Sequence, residues 1–483
     1  MTVGGISVRR VDGLLDEDVA VLVKLLEQLN RRREKNELRR SYYDGHNALK
    51  DLGIAVPPQL KSLDVVVGWP AKAVDSLSRR TILNGFSSTG GIELDAVVSE
   101  LWDGNRIAGE ASAAHTAALI HSCSFVFVTR GQAGEPDAVI TTRSAEHATG
   151  TWDARKRALV DALSVVEYDL ATAEPTLMHL YLFNRVAIVR RVSSGVFEAE
   201  YSYHSMGVPV EVLPYRPMGD RPFGRSRITR GVRYLTDAAA RTLLRSEVGA
   251  EFYNAPQRYV LGADEESFVD ASGSPVPAWS VMLGRMLALS RDENGDLPTV
   301  GQFSQQTMQP NVEQLRSLAQ MFAAETSLPV GSLGIVQDNP SSAEAIRAVN
   351  EEQGIEIEHW QRSALGPAWK RVMRRAVGMV TDSPAALAEV ASIAPDWGSW
   401  ALASDVALAD AAVKQVTAVP WLADSAVLLK RMGFSPDDIR QLQVERRRSQ
   451  DRSMLQMLIG GADGDVAAGE RAQVGAGGDS AAG

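Results

Sequence analysis

Leu328-Pro329-Val330-Gly331-Ser332-Leu333-Gly334 runs on through residues 335–338 into Asn339-Pro340-Ser341-Ser342-Ala343-Glu344-Ala345-Ile346. Pro329 and Pro340 remove backbone donors, and Gly331 and Gly334 admit conformations closed to other residues. No helix or strand runs through such a stretch, so it reads as an irregular connector. Ser341 and Glu344 then have the spacing of a capping box, which sets the start of the next helix.

Both flanks are helical by period. Before the connector, Val312, Leu315, Leu318, Ala319 and Phe322 make one apolar stripe, with Asn311 as the expected N-cap and Gln314 reciprocating. After it, Ile346, Val349, Ile357, Trp360, Ala364, Val372, Met373 and Ala376 share one side of a long helix. Gly366-Pro367 sits inside that helix, where proline clashes with the preceding turn, so a kink is expected there. Upstream, residues 254–310 are broken by five prolines and read as a small α/β insertion. Residues 221–258 hold eight arginines against three carboxylates, and Leu235, Ala239, Leu243, Val248 and Phe252 mark a helix within them.

The first ninety residues read as helical. Leu14, Leu15, Val19, Leu22, Leu25, Leu26 and Leu29 recur at spacings of three and four. The basic cluster that follows, Arg31 to Arg33 with Arg39 and Arg40, reads as a solvated helix face. Tyr42-Tyr43-Asp44-Gly45 marks a helix end, and residues 65–83 a second helix before Asn84-Gly85. From 123 to 215 the period shortens to two: 124–130, 138–142, 158–167, 176–182 and 186–192 read as strands of a mostly antiparallel region. The fold class is therefore α+β. Residues from about 383 to 457 are again helical. The Gly/Ala-rich residues 458–483 cannot bury enough apolar surface to offset the entropy of ordering and are expected to be disordered.

The chain has 483 residues and a net charge of −10, which argues against a protein that coats nucleic acid through bulk charge. Its single cysteine, Cys123, excludes an intrachain disulfide. No apolar run approaches the ~18 residues of a membrane span, and no secretory signal is visible at the N-terminus. No P-loop, His-Glu-x-x-His or Gly-x-Ser-x-Gly motif occurs. Glu356-x-x-His359 has the spacing of a di-iron half-site but lacks a second copy, and no cofactor is expected. Nine tryptophans are more useful as core and interface anchors than as catalysts. A long kinked helix after an interrupted helical column suits a subunit that contacts different neighbours.

These features resemble the portal proteins of tailed bacteriophages, the head-to-tail connectors, and are most similar to portals of phages infecting actinobacteria. The residues that carry the resemblance are Tyr42-Tyr43-Asp44-Gly45, Val65-Val66-Val67-Gly68-Trp69-Pro70, Gly224-Arg225-Ser226-Arg227-Ile228, and the 328–334 and 339–346 stretches. The resemblance implies a portal fold with a wing (1–232), a first stem helix (233–253), a clip (254–310) and a second stem helix (311–327). A tunnel loop (328–342), a kinked helix (343–378) and the end of the wing with the crown (379–457) would follow. It further implies a ring of about twelve subunits at one capsid vertex of the virion, assembled in the host cytoplasm. Its partners would be the major capsid protein, terminase during packaging, a head-tail adaptor, and double-stranded DNA passing through without sequence specificity. No catalysis and no membrane contact are implied. Gln337, Asp338, Asn339 and Ser341 are the candidates for the channel lining, and Gly366 and Pro367 for the helix kink. Readings that compete are a soluble metal-dependent phage nuclease and another virion structural protein.

Overall fold

The computed structural model describes residues 2–3, 6–46, 65–89, 92–169, 171–172, 174–254, 258–261, 299–302, 307–334, 343–381, 388–400, 405–434 and 438–454. Contacts divide the chain into a large unit, residues 1–400, and a small one, residues 401–483.

After a two-residue ribbon, Thr2–Val3 paired antiparallel with Ile6–Ser7, come β1 (Arg10–Asp12) and a long helix, α1 (Asp16–Asp44). Acidic Asp16 and Glu17 lie in the first turn of α1, where the helix dipole favours them. Its end is set by Gly45, in the left-handed region at φ 74° with its N–H returned to the Ser41 carbonyl. Leu22, Leu25, Leu26 and Leu29 bury the inner stripe of α1 against a sheet. At ~1.5–3 kcal/mol for each fully buried leucine, this face holds the helix down. Buried Asp18 adds a polar lock, accepting from Arg185 Nη2 at 2.8 Å and from the Tyr201 hydroxyl at 2.5 Å.

That sheet has six strands: β1, then β5 (Ala148–Asp153), β6 (Ala158–Tyr168), β7 (Pro175–Leu182), β8 (Arg185–Ser193) and β9 (Val196–Tyr203). Its spatial order is β1-β9-β8-β7-β6-β5, antiparallel except where β1 lies parallel to β9. A second sheet, β10-β3-β4, joins β3 (Cys123–Arg130), β4 (Ala138–Ser144) and β10 (Val210–Pro214). Phe125, Phe127 and Tyr181 fill the space between the sheets, the last two with ring centroids 4.6 Å apart. The class is α+β.

Helices α2 (Trp69–Ser78), α3 (Ile92–Gly104) and α4 (Ile107–His121) follow α1 and cover the second sheet's other side. Three expectations needed correction here. The second helix starts and stops inside 65–83, and Leu83-Asn84-Gly85 belongs to a strand, β2 (Leu83–Ser87). The partner of β2 is β13 (Ala394–Trp397), three hundred residues away in a region read as helical. Strands β5, β9 and β10 were missed. Gly150 interrupts the first, β9 alternates charged and aromatic residues, and β10 is only five residues long.

Among the described residues that follow, most are helical: α5 (Arg230–Asn254), α6 (Gln309–Thr326), α7 (Ala343–Trp360) and α8 (Gly366–Val380), with a short ribbon of β11 (Arg258–Leu261) and β12 (Thr299–Gln302) between α5 and α6. Helix α6 starts at Gln309 with Met308 before it and Pro310 in its first turn, so Asn311 is inside the helix rather than its cap. The small unit contains α9 (Asp405–Ala418), α10 (Ala426–Arg431) and a helical stretch at 438–454. Residues 458–483, expected to be disordered, lie outside the described residues.

At the centre of the large unit, α8 lays Trp369, Val372, Met373 and Ala376 against α4 and the second sheet. His115 of α4 is fully buried there. Its Nδ1 faces the Thr81 carbonyl at 3.1 Å, and its Nε2 receives the Trp369 indole N–H at 3.0 Å. Those partners fix a neutral ring that donates from Nδ1 and accepts at Nε2. Burial lowers its pKa to about 4. The unfolded ring titrates near ~6.5, so between these values the unfolded chain binds the extra proton. Stability is therefore expected to fall by roughly 3 kcal/mol as pH drops from about 6.5 towards 4. Urea midpoints measured across that range check it: the His115→Leu variant should have a shallower slope, with a remainder from His179, whose pKa burial also lowers to about 4.

Candidate functional site at the foot of the paired helices

Helices α5 and α6 run antiparallel. Thr229, just ahead of α5, donates its hydroxyl to Glu325 in the last turn of α6 at 3.0 Å. At their other ends, β11 and β12 pair with Leu261 opposite Thr299. The Thr229 hydroxyl also accepts the Val232 N–H at 3.1 Å, which caps the start of α5.

The approach to α5 is tightly specified. Gly224 has φ 70°, and a Cβ there would lie 2.2 Å from the Tyr215 carbonyl oxygen. Only glycine lets the chain pass. Arg225 N–H then bonds Tyr215 O at 2.7 Å, Ser226 Oγ donates to Ile120 O at 2.5 Å, and Arg227 N–H bonds Leu119 O at 2.8 Å. The segment is thereby stitched along the C-terminal end of α4.

Arg227 sits at the node that results, with its side chain only 5% exposed. Its Nε donates to Ala73 O of α2 at 2.8 Å, and its Nη2 to Thr326 O at the end of α6 at 2.7 Å. Its Nη1 donates to the Tyr215 hydroxyl at 2.7 Å and to Glu356 Oε1 of α7 at 2.9 Å. Glu356 also accepts from the Tyr215 hydroxyl and, at 2.7 Å, from Arg216. Burial alone would raise the Glu356 carboxyl. The Arg227 guanidinium, with the Tyr215 hydroxyl and Arg216, outweighs it and holds the group below the usual carboxylate range. One guanidinium thus joins α2, the end of α6, the exit from β10 and the long helix α7. Trp360 reinforces the node, donating its indole N–H to Pro214 O at 2.8 Å.

The long helix is not uniform. Between α7 and α8, residues Gln361–Leu365 form a π turn, and the Gly366 N–H reaches back to the Gln361 carbonyl. Pro367 cannot donate to the Ser363 carbonyl and would crowd it, which a widened turn relieves. The irregularity therefore precedes Gly366-Pro367 by a turn. A Cβ on Gly366 would come within 2.8 Å of Gln361 O.

Gln337, Asp338, Asn339 and Ser341, the residues expected to line a channel, lie outside the described residues. What is described of that connector is Leu328, which is buried, a short 3-10 turn at Val330–Leu333, and Gly334 at φ 82°. Glu356 and His359 do not act together: Glu356 is consumed by Tyr215 and the arginines, while His359 is exposed. Among the described residues, no three His, Cys, Asp or Glu side chains gather as a metal site would require. Cys123 is buried, and burial pushes its thiol up to about 12. Arg227, Tyr215 and Glu356 were not legible as a set, because their spacing in the chain is 12 and 129 residues and nothing local links them.

With this geometry in place, the comparison with known proteins is direct. The family described as "Phage portal protein, SPP1 Gp6-like" matches residues 22–451, and the chain belongs to it. Among its relatives, the portal protein of Mycobacterium phage D29 is 29% identical over 383 residues, 77% of each chain. The portal protein of Mycobacterium phage L5 is 29% identical over 395 residues, again 77% of each. Among solved structures, a chain from the virion of the native gene transfer agent particle matches with a TM-score of 0.40 at 14% identity. That match covers 80% of this chain and 89% of the other.

Two outcomes are expected. Arg227→Met and Glu356→Gln should each destabilise by up to ~3–5 kcal/mol, because each takes a buried counter-charge from the other, though Glu356 keeps Arg216 and the Tyr215 hydroxyl and Arg227 keeps its neutral acceptors. The double variant should cost at least ~1 kcal/mol less than their sum. Chemical denaturation of the four proteins measures this; strict additivity would show that the pair is not coupled. The pair's contribution should be complete above the unfolded glutamate value of ~4.3 and lost as pH falls through the lower folded value. In the long helix, Gly366→Ala should cost ~1–3 kcal/mol through crowding at Gln361 O, whereas Pro367→Ala should be close to neutral, since alanine restores a donor and favours helix. The reverse order of urea midpoints would make the proline, not the glycine, the support of the π turn.

Proposed function

We propose that this chain is a structural portal subunit. It closes with other copies into a ring, of about twelve, at one vertex of a phage capsid. Double-stranded DNA passes through the ring on packaging and ejection, terminase docks during packaging, and a head-tail adaptor replaces it. The protein is then part of the virion, after assembly in the host cytoplasm against the major capsid protein. The observation that carries this reading is the family match over residues 22–451.

The helical pair is consistent with it. Tyr234 of α5 is 63% exposed, and Val312 and Met321 of α6 are 51% and 49% exposed. A hairpin anchored at its foot and apolar along its outer face gains by packing on equivalent hairpins, and head-to-tail contacts that close by rotation make a ring. In this reading α5 and α6 are the stem, the ribbon side is the clip, and residues 328–342 are the tunnel loop. That loop has no Lys or Arg, so Gln337, Asp338, Asn339 and Ser341 can face DNA without a fixed cation gripping phosphate. The chain carries no catalytic role here.

Purified protein should show particles of many times the 52.2 kDa subunit by mass photometry, and rings with a central hole by negative-stain imaging. Shortening 335–339 should spare the rings and impair DNA packaging. Monomers alone at micromolar concentration would sink the reading.

A further inference from the structure

A cationic groove runs beside α1, formed by three adjoining depressions that share Lys35. Arg31, Arg32, Lys35 and Arg39 of α1 make one wall. Arg221 and Arg225, from the segment entering α5, and Arg230 and Arg233, from its first turn, make the other. Asp220 is the one carboxylate among the lining residues, and it lies 3.5 Å from Arg221. This density of positive charge is unexpected in a chain of net charge −10.

Most of these cations are not consumed by the fold, although Arg39 Nη1 donates to the His121 carbonyl at 2.7 Å and Arg221 lies beside Asp220. Among the described residues, Arg31, Arg32, Lys35, Arg225 and Arg230 pair with no carboxylate, whereas Arg33 and Arg40 on the same helix bond Glu37 and Asp44 at 2.7 and 2.8 Å. Arg233 Nε is buried with no hydrogen-bond partner, its guanidinium lying 5.8 Å above the Tyr42 ring. The groups repel one another. Arg39 leads in pushing the Lys35 ammonium below its ordinary value, followed by burial and by Arg32, Arg221 and Arg233. Burial, joined by Arg233 and Arg32, lowers Arg39 to about 10. Binding an anion would remove this repulsion and meet the unfilled donors.

We infer that the groove holds the phosphate backbone of double-stranded DNA. Arg31 to Arg39 spans ~12 Å of helix, and a duplex carries one phosphate charge per ~1.7 Å of axis, so about seven lie over that length. Eight cations line the groove. Guanidinium forks on phosphate position a duplex without reading its sequence. The inference rests on the portal reading for the source of the DNA and adds where on the subunit its backbone is held.

The test uses the full-length protein, with its assembly state checked by mass photometry, and a fluorescein-labelled 30-base-pair duplex. Wild type should bind with an affinity that falls steeply with salt, its log–log slope near −4 or steeper for ~5 phosphates. The triple variant Lys35→Glu, Arg225→Glu, Arg230→Glu should weaken binding at least tenfold at fixed salt. The single exposed changes Arg225→Gln and Arg230→Gln, which are mild enough to keep the fold, should each reduce the slope by about one. Slopes unchanged in the single variants would overturn the inference while leaving intact rings, and so the portal reading, untouched. Duplex binding unchanged with rings lost would also overturn it and assign the groove to contact between copies. Displacement of the duplex by polyglutamate at equal charge concentration would overturn it in favour of an acidic protein partner.

Discussion

A buried arginine must find its partners or the fold cannot keep it. Arg227 finds four, and they belong to α2, α6, α7 and the exit from β10. Removing such a charge from water costs several kcal/mol, which only good geometry and complete hydrogen bonding recover. That requirement turns one side chain into a positional constraint. The end of α6, the start of α5 and the middle of α7 must arrive together, or the guanidinium is stranded. The helical hairpin therefore projects from a fixed foot, although its outer face has little of the large unit to rest on.

The rest of the large unit supports that foot from behind. Gly224 permits the close pass beneath Tyr215, and α4 supplies the carbonyls that stitch residues 225–227 in place. Elsewhere along the long helix, Arg80 donates to Gln353 of α7 at 2.5 Å, and Arg371 of α8 reaches Glu211 of β10 at 2.9 Å. Helix α7 and its continuation α8 are thus pinned at intervals by charge-assisted bonds as well as by their tryptophans.

How much of this the sequence discloses follows the range of the interactions. The leucine stripe of α1, the end at Gly45 and the central strands could be read, because period and turn chemistry are local. The α+β class followed from them. Strand β2 was misread because its pairing with β13 is decided by a partner some three hundred residues away. Asn311 looked like a cap, but the helix begins earlier, with Pro310 in its first turn. At the foot, Gly224-Arg225-Ser226-Arg227-Ile228 stood out as a motif, yet nothing in it distinguishes exposed Arg225 from buried Arg227. The α1 cations read as a solvated face, and some are: Arg33 and Arg40 pair within their own helix. Only folding brings the others opposite the arginines that lead into α5.

The π turn at Gln361–Leu365 carries a consequence for how the long helix keeps its aim. Buried Gln353, Ile357, Trp360 and Ala364 keep the ~3.6-residue period before and into the turn, and buried Ala368, Trp369, Val372, Met373, Ala376 and Val377 keep it afterwards. A single π turn takes up about one extra residue, which offsets the second stripe from the first by roughly 100° about the axis. It works as a phase shifter: the side chains beyond it face the second sheet at an angle that an unbroken helix would not give them. Chain length within 361–365 is therefore part of the address of every core residue from Trp369 onward.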